Sequence, residues 1–207
     1  MSWTKRALGA LVFSLALAQT AGAQERAIDI SIRGGGFNGL RDLNEAGTAD
    51  FKQTGYNVGG GLGVGLHRYV AVRGDFTFAR NELQESGVET GSELSRFFYD
   101  AAVQLQYPTG AGWLPYVFVG AGAVTLHPVG TSGANKTKPA GTAGLGVRYA
   151  IPRSNFGVVL EGKSWLYELS ELGGDLAGVD RTQFDVTWSA GLSYRLPFGS
   201  RAASAAR

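Results

Sequence analysis

The chain has 207 residues, of which 32 are glycine, 44% are hydrophobic and none is cysteine. This hydrophobic fraction excludes a disordered chain, and the lack of cysteine excludes a disulfide scaffold, a thiolate zinc site and a cysteine-anchored lipoprotein. The formal net charge is +2, but Lys5 and Arg6 belong to a segment that we expect to be removed, and a neutral remainder argues against nucleic-acid binding.

Residues 1–23 have the pattern of a secretory signal peptide. A positively charged start precedes an apolar stretch at residues 7–18, and Ala21-Gly22-Ala23 matches a cleavage site. The apolar stretch is about 12 residues long, too short to cross a bilayer as a helix. We therefore expect an exported mature chain that begins near Gln24.

The rest of the chain alternates between apolar and polar residues with a period of two, which predicts β-strands. In the third strand, for example, Val70, Val72 and Phe76 oppose Arg73 and Asp75. We predict eight strands, at residues 27–37, 54–66, 70–79, 96–107, 115–126, 142–150, 156–166 and 184–198. Most of them are about ten to thirteen residues long, and a tilted strand needs roughly 9–11 residues to cross a bilayer. The strand at 115–126 is apolar on both faces, so its direction stays open.

The connections between these strands are alternately long and short. The long ones cover residues 38–53, 80–94, 127–140 and 168–182, and the shorter ones 67–69, 108–114 and 151–155. In an antiparallel meander this alternation puts all long connections at one end, as in outer-membrane barrels with short periplasmic turns. The sequence therefore predicts an all-β fold: an eight-stranded antiparallel up-and-down transmembrane β-barrel over residues 24–198, followed by a short periplasmic tail at 199–207.

The apolar faces are predicted to point outward, toward lipid. Eight strands leave an interior only wide enough for side chains to fill or for one small ligand, and the dozens of bulky apolar side chains would not fit inside. Aromatic residues fall at both strand ends, as in the girdles of membrane barrels: Tyr56, Tyr69, Phe76, Phe97, Tyr99, Tyr107, Tyr149, Phe156, Phe184, Trp188, Tyr194 and Phe198. Phe78 and Tyr167 fall in the loop-end group as well. The alternative architecture is a soluble lipocalin-like barrel that binds a ligand and has its apolar face inside.

The polar faces would then point into the lumen with eleven charged residues. They are Asp29, Arg33, Arg73, Asp75, Arg96, Asp100, Arg148, Glu161, Lys163, Asp185 and Arg195. Because buried charges are tolerated only when they are paired, this near-balanced set predicts a closed lumen charge network. The alternative is a narrow solute pore along a polar track.

Catalytic, metal and cofactor sites find little support in the sequence. A lipid A-modifying enzyme would need a serine and a histidine with a carboxylate, but His127 has only Ser132 nearby and His67 falls in a turn. The glycine runs at 59–65 and 141–146 lie inside predicted strands, so they do not form nucleotide-binding loops. We therefore expect no enzyme, no metal and no cofactor.

Four segments resemble the outer-membrane β-barrel domain family, which includes the OmpA-type and OmpX-type eight-stranded barrels. Residues 115–122 resemble its fifth strand, 144–149 its sixth, 160–163 its seventh and 188–195 its closing strand. The resemblance implies an integral protein of the Gram-negative outer membrane that the barrel assembly machinery inserts. We expect it to be a monomer among membrane lipid and lipopolysaccharide, with a structural or surface-interaction role. The tail after Phe198 is too short for a peptidoglycan-binding domain.

Overall fold

The computed structural model describes residues 26–39, 49–51, 55–85, 88–129, 135–169 and 181–198. The predicted signal peptide and the tail at 199–207 lie outside these ranges. Among these residues no helix is both long enough and apolar enough to span a membrane.

Strands account for nearly all of the described chain. They are β1 (Arg26–Gly39), β2 (Ala49–Phe51), β3 (Gly55–His67), β4 (Val70–Glu85), β5 (Val88–Gln106), β6 (Trp113–Val129), β7 (Lys136–Ala150), β8 (Phe156–Leu169) and β9 (Arg181–Phe198). The eight long strands pair antiparallel with their neighbours, and β9 pairs with β1 to close the sheet. Closure gives each strand two partners, so that ladder hydrogen bonds satisfy the backbone away from water. The predicted eight-stranded antiparallel barrel is confirmed.

Three short connections lie at one end of the barrel, which we call the turn end. They join His67 to Val70, Gln106 to Trp113 and Ala150 to Phe156. Arg153 in the last of them has a φ of 61°. The opposite end, which we call the loop end, carries the connections that were predicted to be long.

At the loop end the strands run further than their sequence pattern predicts. The predicted loop at 80–94 is wrong over most of its length, because β4 and β5 continue as a paired hairpin to Glu85 and Val88. Likewise, β7 begins at Lys136 instead of residue 142, and its added part includes Pro139. The hydrogen bonds of an antiparallel ladder join backbone groups, so polar residues can extend the ladder once its register is set. The unpredicted strand β2 pairs with this extension at residues 83–85.

The outer face of the barrel is apolar. Ile32, Val119 and Leu145 are 64%, 66% and 63% exposed. A soluble lipocalin-like barrel would bury such residues, so this alternative is wrong. Strand β6, whose direction the sequence left open, turns Val119 outward and Tyr116 and Phe118 inward.

Candidate functional site

The lumen contains three layers of side chains between the turn end and the loop end. The first, the turn-end cluster, consists of Asp29, Arg148 and Arg195. The second, the ionic core, consists of Arg33, Arg73, Asp75, Asp100, Glu161 and Lys163. The third, the loop-end plug, is an apolar cluster of Phe37, Ala79, Leu94, Phe98, Val124, Leu126, Ala140, Trp165 and Tyr167. Arg96 and Asp185 lie beside the plug and complete the eleven predicted lumen charges.

Two arginines of the ionic core share the same two carboxylates. Arg73 donates from Nε to Asp75 Oδ2 at 2.7 Å and from Nη1 to Glu161 Oε2 at 2.7 Å. Arg33 lies on β1, which stands midway between β4 and β8 around the barrel, and it also pairs with both Asp75 and Glu161. Each guanidinium therefore bridges two strands, since Asp75 lies on β4 and Glu161 on β8.

Lys163 joins the third acidic residue to this network. Its Nζ lies 2.6 Å from Asp100 Oδ2 and 3.3 Å from Asp75 Oδ2. Tyr116 donates its hydroxyl to Glu161 Oε2 at 2.7 Å. The charged side chains of the core are 8% exposed or less, and three basic residues face three acidic ones. Such complete pairing is the condition under which charges are tolerated away from water.

Glycines on the inner face leave the space that these side chains occupy. A Cβ at Gly61 would collide with the carboxylate of Asp75 and approach Arg33. A Cβ at Gly144 would collide with the ring of Phe118, which covers Arg73 with its ring centroid 4.4 Å from the guanidinium carbon. The glycine-rich faces therefore serve packing inside the barrel, in keeping with their position in β3 and β7.

The loop-end plug is a feature that the sequence did not predict. Phe98 stacks on Trp165 with ring centroids 4.2 Å apart, and Phe37 lies 6.4 Å from Phe98. Phe37, Phe98, Leu94, Val124 and Leu126 are fully buried. Rings and aliphatic side chains thus occupy much of the lumen at the loop end, beside the predicted charged pair of Arg96 and Asp185.

Tyr167 corrects one expectation about the aromatic belts. It points into the lumen, where its hydroxyl donates to Asp185 Oδ2 at 2.5 Å and accepts from Arg96 Nε at 3.1 Å. On β8, every second residue points inward, and Tyr167 continues the series of Glu161, Lys163 and Trp165. This alternation was readable in the sequence, and it outweighs the tendency of aromatic residues to line the membrane interface.

The turn-end cluster lies on the other side of the ionic core. Arg195 donates to both carboxylate oxygens of Asp29, at 3.1 and 3.0 Å, and Arg148 pairs with the same carboxylate. Between this cluster and the ionic core lies a cavity of about 60 Å³.

Outward aromatic residues form contacts at both ends of the barrel. The ring pairs at the turn end are Tyr69–Tyr107, Trp113–Tyr149 and Phe156–Tyr194. Those at the loop end are Tyr56–Phe78, Phe78–Phe97, Phe76–Phe97 and Phe76–Tyr99. Phe184 and Trp188 point outward on β9, and Trp113 is an addition that was not predicted. The backbone of Phe198 pairs with Arg26, but its side chain lies outside the described residues.

The histidines lie outside these layers. His127 is exposed near the loop end, and its Nδ1 contacts Asn135 Oδ1. Ser132, its predicted neighbour, lies outside the described residues. His67 ends β3 at the turn end and accepts a hydrogen bond from the backbone of Tyr69 at 3.3 Å. No group of three or more potential metal ligands occurs in the described part of the chain.

Comparisons with known proteins agree with this architecture. Residues 7–201 match the model of a family described as outer membrane protein beta-barrel domain. The fold is similar to that of neisserial surface protein A, with a TM-score of 0.56 and 12% identity over 84% of this chain and 98% of that one. It is also similar to OprG of Pseudomonas aeruginosa, with a TM-score of 0.51 and 15% identity over 83% and 97% of the two chains. No curated protein sequence matches the chain significantly.

Proposed function

Because the chain belongs to the outer membrane protein β-barrel domain family, we propose that it is a non-conducting barrel with a structural or surface-interaction role. The family indicates the outer membrane of a Gram-negative bacterium, where lipid can cover the exposed apolar face. The observation that carries the proposal is that two successive layers fill the lumen between its two ends.

The two layers resist the passage of ions in different ways. In the ionic core, every carboxylate already accepts from at least one cationic side chain, so a permeating ion would have to separate a buried pair. In the loop-end plug, an ion would meet the stacked rings of Phe98 and Trp165, where it is poorly solvated. The neighbouring polar groups of Arg96, Tyr167 and Asp185 already bond to one another. The cavity of about 60 Å³ lies on the turn-end side of both layers.

The surface-interaction role is supported by the hairpin of β4 and β5. It continues from the aromatic pair Phe78–Phe97 to Glu85 and Val88, where β2 adds a third strand. At about 3.3 Å per residue, the seven residues beyond Phe78 extend roughly 23 Å along the strand. A hydrogen-bonded sheet of this length, beyond the loop-end belt, offers a preformed surface to a partner outside the membrane.

The route to the membrane and the surroundings of the barrel are part of the same proposal. The signal peptide at residues 1–23 would direct export, and the barrel assembly machinery would insert the chain. Arg26 on the first strand pairs with Phe198 on the last strand, which supports insertion of the chain as a closed barrel. The exposed apolar face would contact membrane lipid and lipopolysaccharide, with the barrel as a monomer.

Conductance of planar lipid bilayers tests the closed lumen. The protein is first shown to be folded by its changed gel migration after boiling, and a porin incorporated in the same bilayer serves as the positive control. We expect no steady single-channel conductance from the folded barrel in salt solution. Reproducible unitary steps whose frequency rises with the amount of folded protein would contradict the closed lumen and favour a narrow solute pore.

A further inference from the structure

The charges of the lumen balance in two of its three layers but not in the third. The ionic core has three basic and three acidic residues, and Arg96 is matched by Asp185 near the loop-end plug. In the turn-end cluster, Arg148 and Arg195 share the single carboxylate of Asp29. Among the described lumen residues, the surplus of one positive charge therefore lies at the turn end.

Arg148 of this cluster lines a cavity, whereas the more exposed Arg195 lies outside the cavity lining. The wall of this cavity of about 60 Å³ includes three basic residues, Arg33, Arg73 and Arg148, and three acidic ones, Asp29, Asp75 and Glu161. The side chains of Tyr116 and Ser193 also line it. A site for one water molecule needs about 10–15 Å³, so the space is larger than a single water requires. The side chain of Arg148 is only 9% exposed, and its Nε has no hydrogen-bond partner in the described part of the protein. A buried donor on a charged group without an acceptor is costly, and the cavity offers a place for one.

We propose that this cavity binds a small monovalent inorganic anion of the size of chloride, held by Arg148. The guanidinium supplies N–H donors, and the hydroxyl of Ser193 on the cavity wall can supply another. The carboxylates of Asp29 and Glu161 on the same wall disfavour a doubly charged anion such as hydrogen phosphate. The ion would enter from the turn end, where the side chains of Asp29 and Arg195 are 29% and 41% exposed. The proposal holds whether or not the lumen conducts.

Chloride-35 NMR line broadening of the folded protein in detergent micelles tests the site. Chloride is titrated at constant ionic strength against gluconate, an anion too large for the cavity. We expect broadening that saturates for the unsubstituted protein and is lost in Arg148→Gln. Arg80→Gln, which removes an arginine from the outer face, is the matched control and should leave the titration unchanged.

Two further variants keep the test decisive if Arg148→Gln does not fold. Arg195→Gln removes the surplus charge at a partly exposed position and should weaken chloride binding about fivefold, whereas Asp29→Asn adds to the surplus and should strengthen it by a similar factor. Changed gel migration after boiling verifies that each variant is folded. Broadening that does not saturate, or that is the same in all variants, would mean an adventitious ion only and would overturn the proposal.

Discussion

The ionic core and the loop-end plug occupy neighbouring levels of one lumen and are almost equally buried, but they are built from different side chains. In the ionic core, six charged residues from β1, β4, β5 and β8 share hydrogen bonds. In the loop-end plug, Phe98, Trp165 and their neighbours are in van der Waals contact. The stability of the ionic core depends on charge compensation, and the stability of the loop-end plug depends on how closely its side chains pack.

This difference predicts different responses to substitution. Removal of one member of a paired buried set leaves its partners charged and away from water, which is costly. Removal of one ring from an apolar cluster leaves a cavity, whose cost depends on how far the neighbours can relax.

The largest effect is expected from Glu161→Gln in the ionic core. Glu161 accepts from Arg33, Arg73 and Tyr116, so loss of its charge leaves a net positive charge among buried groups. We expect the free energy of unfolding to fall by about 3–5 kcal/mol. Urea unfolding in lipid vesicles, followed by tryptophan fluorescence, measures the change.

The matched control for this variant is Glu168→Gln on the same strand. Glu168 is exposed near the loop end, so its substitution should change the free energy of unfolding by less than about 0.5 kcal/mol. An equal loss of stability in both variants would mean that the ionic core does not stabilise the barrel through buried pairing.

A smaller loss is expected from Phe98→Ala in the loop-end plug. The substitution removes a fully buried ring that stacks on Trp165, and we expect a loss of about 3 kcal/mol from the cavity that remains. The adjacent Phe97 is the control, because it faces outward and contacts Phe76 and Phe78. Phe97→Ala should cost only about 0.5–1.5 kcal/mol, since lipid can fill the vacated space. If Phe97→Ala proved the more damaging change in the same unfolding assay, the plug could not be tightly packed.

The sequence predicts the barrel well because each strand carries its own signal. The alternation of Val70, Val72 and Phe76 with Arg73 and Asp75 is local, and a meander needs only neighbouring strands to pair. The extension of β4 and β5 beyond this pattern could not be predicted. The sequence from residue 80 to residue 94 is mostly polar and lacks the apolar alternation of the strands, whereas the paired residues closer to the turn end carry it.

The contents of the lumen were predictable only in part. Inward parity identifies Arg33 and Glu161 as lumen residues, but they are 128 positions apart, and their contact depends on the stagger of the strands around the barrel. The sequence indicated the loop-end plug less clearly, because Val124 and Leu126 belong to a strand that is apolar on both faces, so the pattern does not show which face points inward. Their inward direction became evident only from the pairing of β6 with β5 and β7.

The smallest effect is expected from Arg80→Gln, which tests whether burial sets the strength of an ion pair in this protein. Arg80 pairs with Glu93 across β4 and β5, and their side chains are 34% and 28% exposed, in contrast to those of the ionic core. We expect a loss of at most about 1 kcal/mol, because water screens a partly exposed pair. The loss should disappear when unfolding is measured in about 1 M instead of 0.1 M sodium chloride, whereas the cost of Glu161→Gln should persist, since salt screens buried pairs much less. A salt-independent loss for Arg80→Gln would show that this outer pair is shielded from solvent as well as the pairs inside the lumen, and that the difference in burial does not set the strength of the two pairs.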